Sequence, residues 1–330
     1  GPDETVERDY PIHGRKLEAL TLILESDGEK DCGAQYLWLG LSNARRQAEM
    51  EARRSVFTPD WPDMLVEDGE FEPQIGIMFG REDVEALRAR VHAGALKPLY
   101  DEFLKKTEEY LTWEPEKDIG VYIPHPDSRW TAKRDLGKKD TSYQMGALAF
   151  AGLIEKRADM MKMAVRMALS AAHCEYWTES IMGVLPGCGW HHRSFTEEVY
   201  CRGCAQVLDW AGGFLTPYAR EILVDAIAMK GLPRIESDFK RQEYIRGMNQ
   251  GIVFSSGRVF GLMACAHFYP RYGAQVLEAE RDLKEMIGNY IMADGGTPEG
   301  PSYWAYTFSQ VMPILYLLSR FHKEPFGVDC

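Results

Sequence analysis

A chain of 330 residues that is 45% hydrophobic, 12% aromatic and 27% charged has material for one large or two ordinary domains. Its formal net charge of −12 excludes a general nucleic-acid binder, which needs a basic footprint. No run of about 18 uncharged apolar residues marks a membrane-spanning helix, and no glycine period, heptad array or low-complexity tract appears. The charge is uneven: residues 1–75 carry 17 acids against 8 bases, a net of −9, which leaves −3 on the other 255.

The N-terminal part reads as a small β-containing appendage. Apolar residues alternate over 16–24, an Asp-Gly turn signal follows at 27–28, and a second strand-like stretch covers 36–41. A charged tract, NARRQAEMEARR, leads to the connector TPDWPDMLVEDGEFEP, whose Pro and acidic punctuation marks a boundary near residue 75. From residue 82 the apolar spacing becomes helical, with positions 84, 87, 91, 95, 96, 99, 103 and 104 close to a 3.6 period. Further helices are expected over 142–157, 158–177, 194–215, 217–231, 251–269, 274–292 and 303–321. Successive apolar-faced helices with short connectors and no convincing strands between them predict a mainly α domain of antiparallel hairpins. No repeat of 34 or 40 residues is visible, which argues against the standard solenoids.

The seven cysteines are an odd number in a chain too large to need disulfide staples. Cys201 and Cys204, with His191 and His192 nearby, invite a zinc reading. They fall inside an expected helix, and no second ligand pair is spaced to match. Packing as small apolar groups is the better account, and no metal is expected. The chain opens on Gly-Pro, the remnant that tag removal leaves, and closes on FHKEPFGVDC without a terminal element. Both ends read as cuts in a longer protein, and no signal peptide is present in these residues.

Function is expected in the connectors, which a helical scaffold positions. Residues 180–195 (SIMGVLPGCGWHHRSF) carry Trp190, His191, His192 and Arg193. Residues 240–251 (KRQEYIRGMNQG) carry Tyr244, Arg246 and Asn249. Residues 293–308 (ADGGTPEGPSYWAYTF) carry Asp294, Glu299, Tyr303, Trp304 and Tyr306. Each has a purely structural role open to it. The two histidines can be a solvated helix start, Asn249 a helix cap, and the Asp-Gly-Gly and Glu-Gly-Pro steps turns. The three aromatics can be core residues. Taken together the connectors describe a cleft with stacking faces, an amide donor, imidazoles and a phenol.

The segment DGGTPEGPSYWAYTFSQVMPILYLL resembles the Asp-Gly…Glu-Gly-x-x-Tyr segment of the heparinase II/III-like and alginate-lyase-like polysaccharide lyases, to which dermatan sulfate epimerase is related. PQIGIMFGREDVEALRARVHAGALKPLYDEFL resembles the opening helix of their catalytic domain, and CAQVLDWAGGFLTPYAREILVDAI the mid-domain helix pair. Asn249, 54 residues before Tyr303, matches the place of the family's carboxylate-binding asparagine. The resemblance covers roughly 73–321. It implies an incomplete (α/α) toroid over 76–330, usually followed by a β-sandwich, and secretion or a periplasmic location. It also implies β-elimination on a uronic-acid-containing polysaccharide, with no cofactor.

These residues suit that chemistry. Elimination removes the weakly acidic C5 proton beside a carboxylate, and a preorganised donor such as the Asn249 amide would stabilise the developing enolate, worth ~3 kcal/mol for one donor of this kind. Tyr303 would act as acid or base. A phenol with an ordinary pKa of ~10 serves as the base only beside positive charge, and His192 would otherwise take the proton. Trp190, Trp304 and Tyr306 would stack on sugars, with His191, Arg193, Tyr244, Arg246 and Glu299 binding substrate. Lys240, Arg241, Arg193, Arg246 and Arg258 are expected around the site, which weakens the objection that an acidic chain repels a polyanion. Three alternatives stand beside the lyase: a uronate C5-epimerase on the same fold, an inverting glycoside hydrolase using Asp294 and Glu299, and a glycan-binding toroid without turnover. For the lyase, Asn249 and Tyr303 are both expected to face one open groove.

Overall fold

The computed structural model describes residues 61–118, 122–123, 141–178 and 193–326. The chain divides into compact units of 1–39 and 40–330, and every described residue belongs to the second. The strand-like stretches at 16–24 and 36–41 lie outside the described residues. What is described is mainly helical, as the sequence predicts, with a two-residue parallel ladder pairing Tyr122–Ile123 with Tyr176–Trp177.

The long helical pattern beginning at residue 82 is two helices, α1 (Arg81–Val91) and α2 (Leu96–Glu109). Gly94, with φ +59, makes the break. Helices α3 (Ser142–Glu155) and α4 (Ala158–His173) form a tight hairpin, since Lys156 takes the left-handed conformation and ends α3. The expected helix to residue 177 stops short at His173. Trp177 turns back to donate its indole N–H to Ala171 O at 2.9 Å, and the Lys230 ammonium donates to the carbonyls of Ala172 and Cys174. These donors satisfy the orphaned carbonyls at the end of α4.

Helix α5 (Phe195–Trp210) is followed by α6 (Pro217–Ala226), which starts on Thr216 as N-cap and Pro217 at its first position. The chain then runs through a π-helical segment, Ile227–Gly231, into α7 (Leu232–Arg241), a helix absent from the sequence reading. Pro233 lacks an N–H, and a π segment is one way to absorb the lost bond. Helices α8 (Asn249–Phe268), α9 (Gly273–Tyr290) and α10 (Pro301–His322) complete the described unit.

Four of these helices, α3, α5, α8 and α10, lie side by side and point the same way. Along α3 and α5, Ser142 and Met145 lie against Gly203, and Gly146 lies against Gln206. Along α5 and α8, Phe195 meets Phe254 edge-on at 4.9 Å, Glu198 lies against Gly257, and Cys201 against Gly261. Residue numbers rise together in both pairs, so the neighbours are parallel. Helices α8 and α10 follow suit: Asn249 bonds Glu299 just before α10, and seven residues on, Ser256 shares Arg202 with Gln310. Gly257 permits this close approach, because a Cβ there would lie 2.5 Å from Glu198 Cα. The connecting helices α4, α6–α7 and α9 return the chain each time.

Helices α5 and α8 are buried on nearly every side. Helix α8 is long and apolar enough to cross a membrane by length and composition, yet 78% of its apolar window is inside the protein, as befits a central helix. Helix α10 is one-sided: Thr307, Val311, Ile314 and Leu318 face inward at helical spacing, while Tyr303, Trp304, Met312, Tyr316 and Phe321 are exposed. Residues 64–77, placed by sequence in the connector before the helices, pack onto the helical unit. Met64 is in the core, Leu65 bridges to Leu215, and Asp209 on α5 accepts the backbone N–H groups of Ile75, Gly76 and Ile77 at 2.7–2.8 Å. Cys201 and Cys204 are fully buried on α5; burial pushes the Cys204 thiol up to about 12 and raises Cys201 as well.

Candidate functional site

Because α3, α5, α8 and α10 are parallel, their N-terminal ends share one end of the layer. The connectors that enter α5, α8 and α10 are the three that the sequence singles out. Each of these helix ends also carries the positive pole of its helix dipole, which favours anions there.

The first and second connectors are tied by a chain of side chains. The Ser194 N–H and hydroxyl both donate to Asp238 Oδ2 at 2.9 Å, and Gln242 donates to Asp238 Oδ1 at 2.9 Å. Tyr244 donates to Gln242 Oε1 at 3.3 Å, and the Arg193 guanidinium lies over the Tyr244 ring and bonds its hydroxyl. Asp238 and Gln242 were not singled out by sequence, since a carboxylate and an amide near a helix end carry no distinctive pattern. Trp190, His191 and His192 lie outside the described residues.

The second and third connectors are joined directly. Glu299 accepts the Asn249 backbone N–H on Oε2 and its side-chain amide on Oε1, both at 2.7 Å. Asn249 is the first residue of α8 and its side chain does not turn to its own backbone, so the helix-capping role falls to Glu299. Asn249 is only 4% exposed, which corrects the expectation of an open amide: the carboxylate of Glu299 holds it inside the wall.

Tyr303, at 50% exposure, and Trp304 and Tyr306 beside it lie on the first turns of α10 with their rings at the surface. That rules out the core-aromatic role for them. Trp304 leans on Phe308 with ring centres 4.6 Å apart. Asp294 is exposed and accepts the Gly296 N–H at 2.9 Å, a local turn contact. Glu299 is engaged by Asn249, and Asp294 by the Gly296 N–H.

The expected basic surround is smaller than the sequence suggests. Arg258 is buried on α8 between Glu236 at 2.5 Å and Asp282 at 2.6 Å, and Arg246 turns to Asp282 at 3.2 Å and Glu285 at 3.7 Å. Burial alone would raise the Asp282 carboxyl, but the two guanidiniums outweigh it and hold it below the usual carboxylate range. Arg246 and Arg258 therefore brace α7, α8 and α9 rather than offer free charge. Arg202, on α5 two turns from the site end, is a basic residue that sequence reasoning missed, because it sits at an apolar-looking position of a buried helix.

No family model and no curated protein matches the chain.

Proposed function

We propose that the protein is a polysaccharide lyase that cleaves a uronic-acid-containing acidic polysaccharide by β-elimination, on an incomplete (α/α) toroid whose inner helices are α3, α5, α8 and α10. The observation that carries this reading is the Asn249–Glu299 bond, which brings the amide-bearing connector against the one that bears Tyr303 although 50 residues separate the bonded pair. In this reading Glu299 is a positioning residue. One Asn249 N–H goes to Glu299, and the second amide hydrogen would reach the substrate carboxylate through the small part of the side chain that stays exposed. The exposed Tyr303 hydroxyl transfers the proton, as acid or base, with His192 as the partner base. Trp304 and Tyr306 provide sugar-stacking faces, and the helix N-termini supply the positive potential that the side chains of Arg246 and Arg258 do not.

The test is an ultraviolet screen for unsaturated uronate with glycosaminoglycan, alginate and ulvan-like polysaccharides. A rise in absorbance with the unaltered chain and none with Tyr303→Phe is the expected result. A Phe variant retaining most of the rate would remove Tyr303 from the mechanism. Solvent deuterium entering C5 without new double bonds would select the epimerase instead.

A further inference from the structure

Arg202 is a charged side chain of the inner layer that the proposed chemistry leaves without a task. It is 8% exposed, at the start of the third turn of α5, with α3, α8 and α10 around it. Its Nη1 donates to Gln310 Oε1 at 2.9 Å and to Ser256 Oγ at 3.2 Å. Its Nη2 is buried and has no hydrogen-bond partner. The nearest carboxylate, Glu198, is 3.6 Å from Nη1, beyond a good charged hydrogen bond. Burial pushes the Glu198 carboxyl up to about 7, with Arg202 and Ser256 offsetting only part of the rise. Glu198 therefore cancels the guanidinium incompletely near neutral pH. Glu198 Oε1 is likewise buried without a hydrogen-bond partner, and a buried donor without an acceptor is a costly arrangement that an arriving oxyanion would relieve.

The surroundings say which way that acceptor comes. The guanidinium is covered on one side by the ring of Tyr143, 5.1 Å from its centre, and that ring is 46% exposed at the first turn of α3. On the other side stands Gln310, on the face of α10 that carries Tyr303 and Tyr306 at i−7 and i−4. Seven residues of helix span about 10 Å at 1.5 Å per residue, the length of roughly two sugar units. Tyr143, Arg202, Gln310, Tyr306 and Tyr303 thus follow one another from α3 to the start of α10.

We propose that Arg202, covered by Tyr143 and flanked by Gln310, is an anion-binding subsite that takes a carboxylate or sulfate of an acidic glycan about two sugars from the unit at Tyr303. The subsite rests on the lyase reading for its register along the chain, but binding at Arg202 does not require turnover. Guanidinium recognises both oxyanions by paired N–H donors, so the chemistry is shared and the ligand arms must separate them.

The experiment measures binding calorimetrically with the Tyr303→Phe chain and three tetrasaccharides. Hyaluronan tetrasaccharide carries carboxylates only, chondroitin 4-sulfate tetrasaccharide carries both groups, and cellotetraose is neutral. Acidic ligands are expected to bind and the neutral one not; a preference for the sulfated ligand that disappears with Arg202 assigns sulfate, and equal binding assigns carboxylate. Adding Arg202→Met should weaken acidic-ligand binding roughly tenfold, the loss of one charge-assisted hydrogen bond. Tyr143→Ala and Gln310→Ala, at less buried positions, should each weaken it several-fold and decide the matter if the Met variant does not fold. Unchanged affinity in the folded variants would overturn the subsite, even where the unaltered chain produces unsaturated uronate. Arg202-dependent binding with no unsaturated product from the unaltered chain would keep the subsite and remove the lyase reading. No binding of either acidic tetrasaccharide would overturn the subsite as well.

Discussion

Glu299 grips Asn249 at two points, through the backbone N–H and through the side-chain amide, and so does the work of an N-cap from 50 residues away. The first N–H groups of α8 would otherwise lack a partner in a buried setting. Glu299→Ala should cost about 1–2 kcal/mol of stability, the usual scale for a lost cap and a charged hydrogen bond. Glu299→Gln should recover little of it, because its NH2 group would face one of the two donors. Thermal unfolding checks both, and melting temperatures unchanged in the two variants would mean that the clamp contributes nothing.

Asp209 makes a comparable statement about how residues 64–77 are held. Its carboxylate accepts three consecutive backbone N–H groups, from Ile75 to Ile77, while 1% exposed itself. Asp209→Ala should destabilise by about 3 kcal/mol, since it strands several buried donors at once. Denaturant melts would show the loss as a lower midpoint. Protease cleavage at residues 64–77 ahead of global unfolding would locate it.

The helices were legible because their signals are local. Apolar spacing and the Thr216-Pro217 start act over a few residues, whereas the split at Gly94 was missed because the apolar spacing runs on through it. Their parallel order was not, since it depends on close contacts such as Gly257 against Glu198 that no short-range pattern announces. The three connectors were recognisable from their Gly, aromatic and imidazole content, and Tyr303, Trp304 and Tyr306 are exposed as a stacking surface requires. Partner choice was illegible for the same reason as helix order. Arg246 and Arg258 read as a basic surround, yet Asp282 and Glu236 claim them. Arg202 read as nothing in particular, although its position between four helices makes it the most unusual charge in the layer.

Glu198 gives the fold a pH dependence of definite sign. Burial, only partly countered by Arg202 and Ser256, moves its carboxyl from the ordinary 4.5 up to about 7. Between those values the folded chain holds more of this proton than the unfolded chain, so the contribution to stability falls as pH rises through the window and levels off above it. The full span is on the order of 3 kcal/mol. Glu198→Gln cannot ionise, so its melting temperature should decline less than that of the unaltered chain between pH 5 and pH 8. Parallel curves for the two proteins would show that Glu198 titrates as an ordinary surface carboxylate.

If the protein is the lyase proposed above, the aromatic residues on the first turns of α10 should separate binding from chemistry. Tyr303 and Trp304 are both largely at the surface, so Tyr303→Phe and Trp304→Ala should each shift stability by no more than about 0.5 kcal/mol. Their kinetic effects should differ. A stacking face contributes equally to ground state and transition state, so Trp304→Ala should raise KM several-fold with kcat nearly unchanged. A proton-transfer group acts only in the transition state, so Tyr303→Phe should lower kcat by roughly 100-fold or more with KM little altered. Initial rates of unsaturated-uronate formation over a range of polysaccharide concentrations give both parameters. A Tyr303→Phe variant whose loss lies wholly in KM would make this tyrosine another stacking surface, and the proton would then have to pass through a different residue.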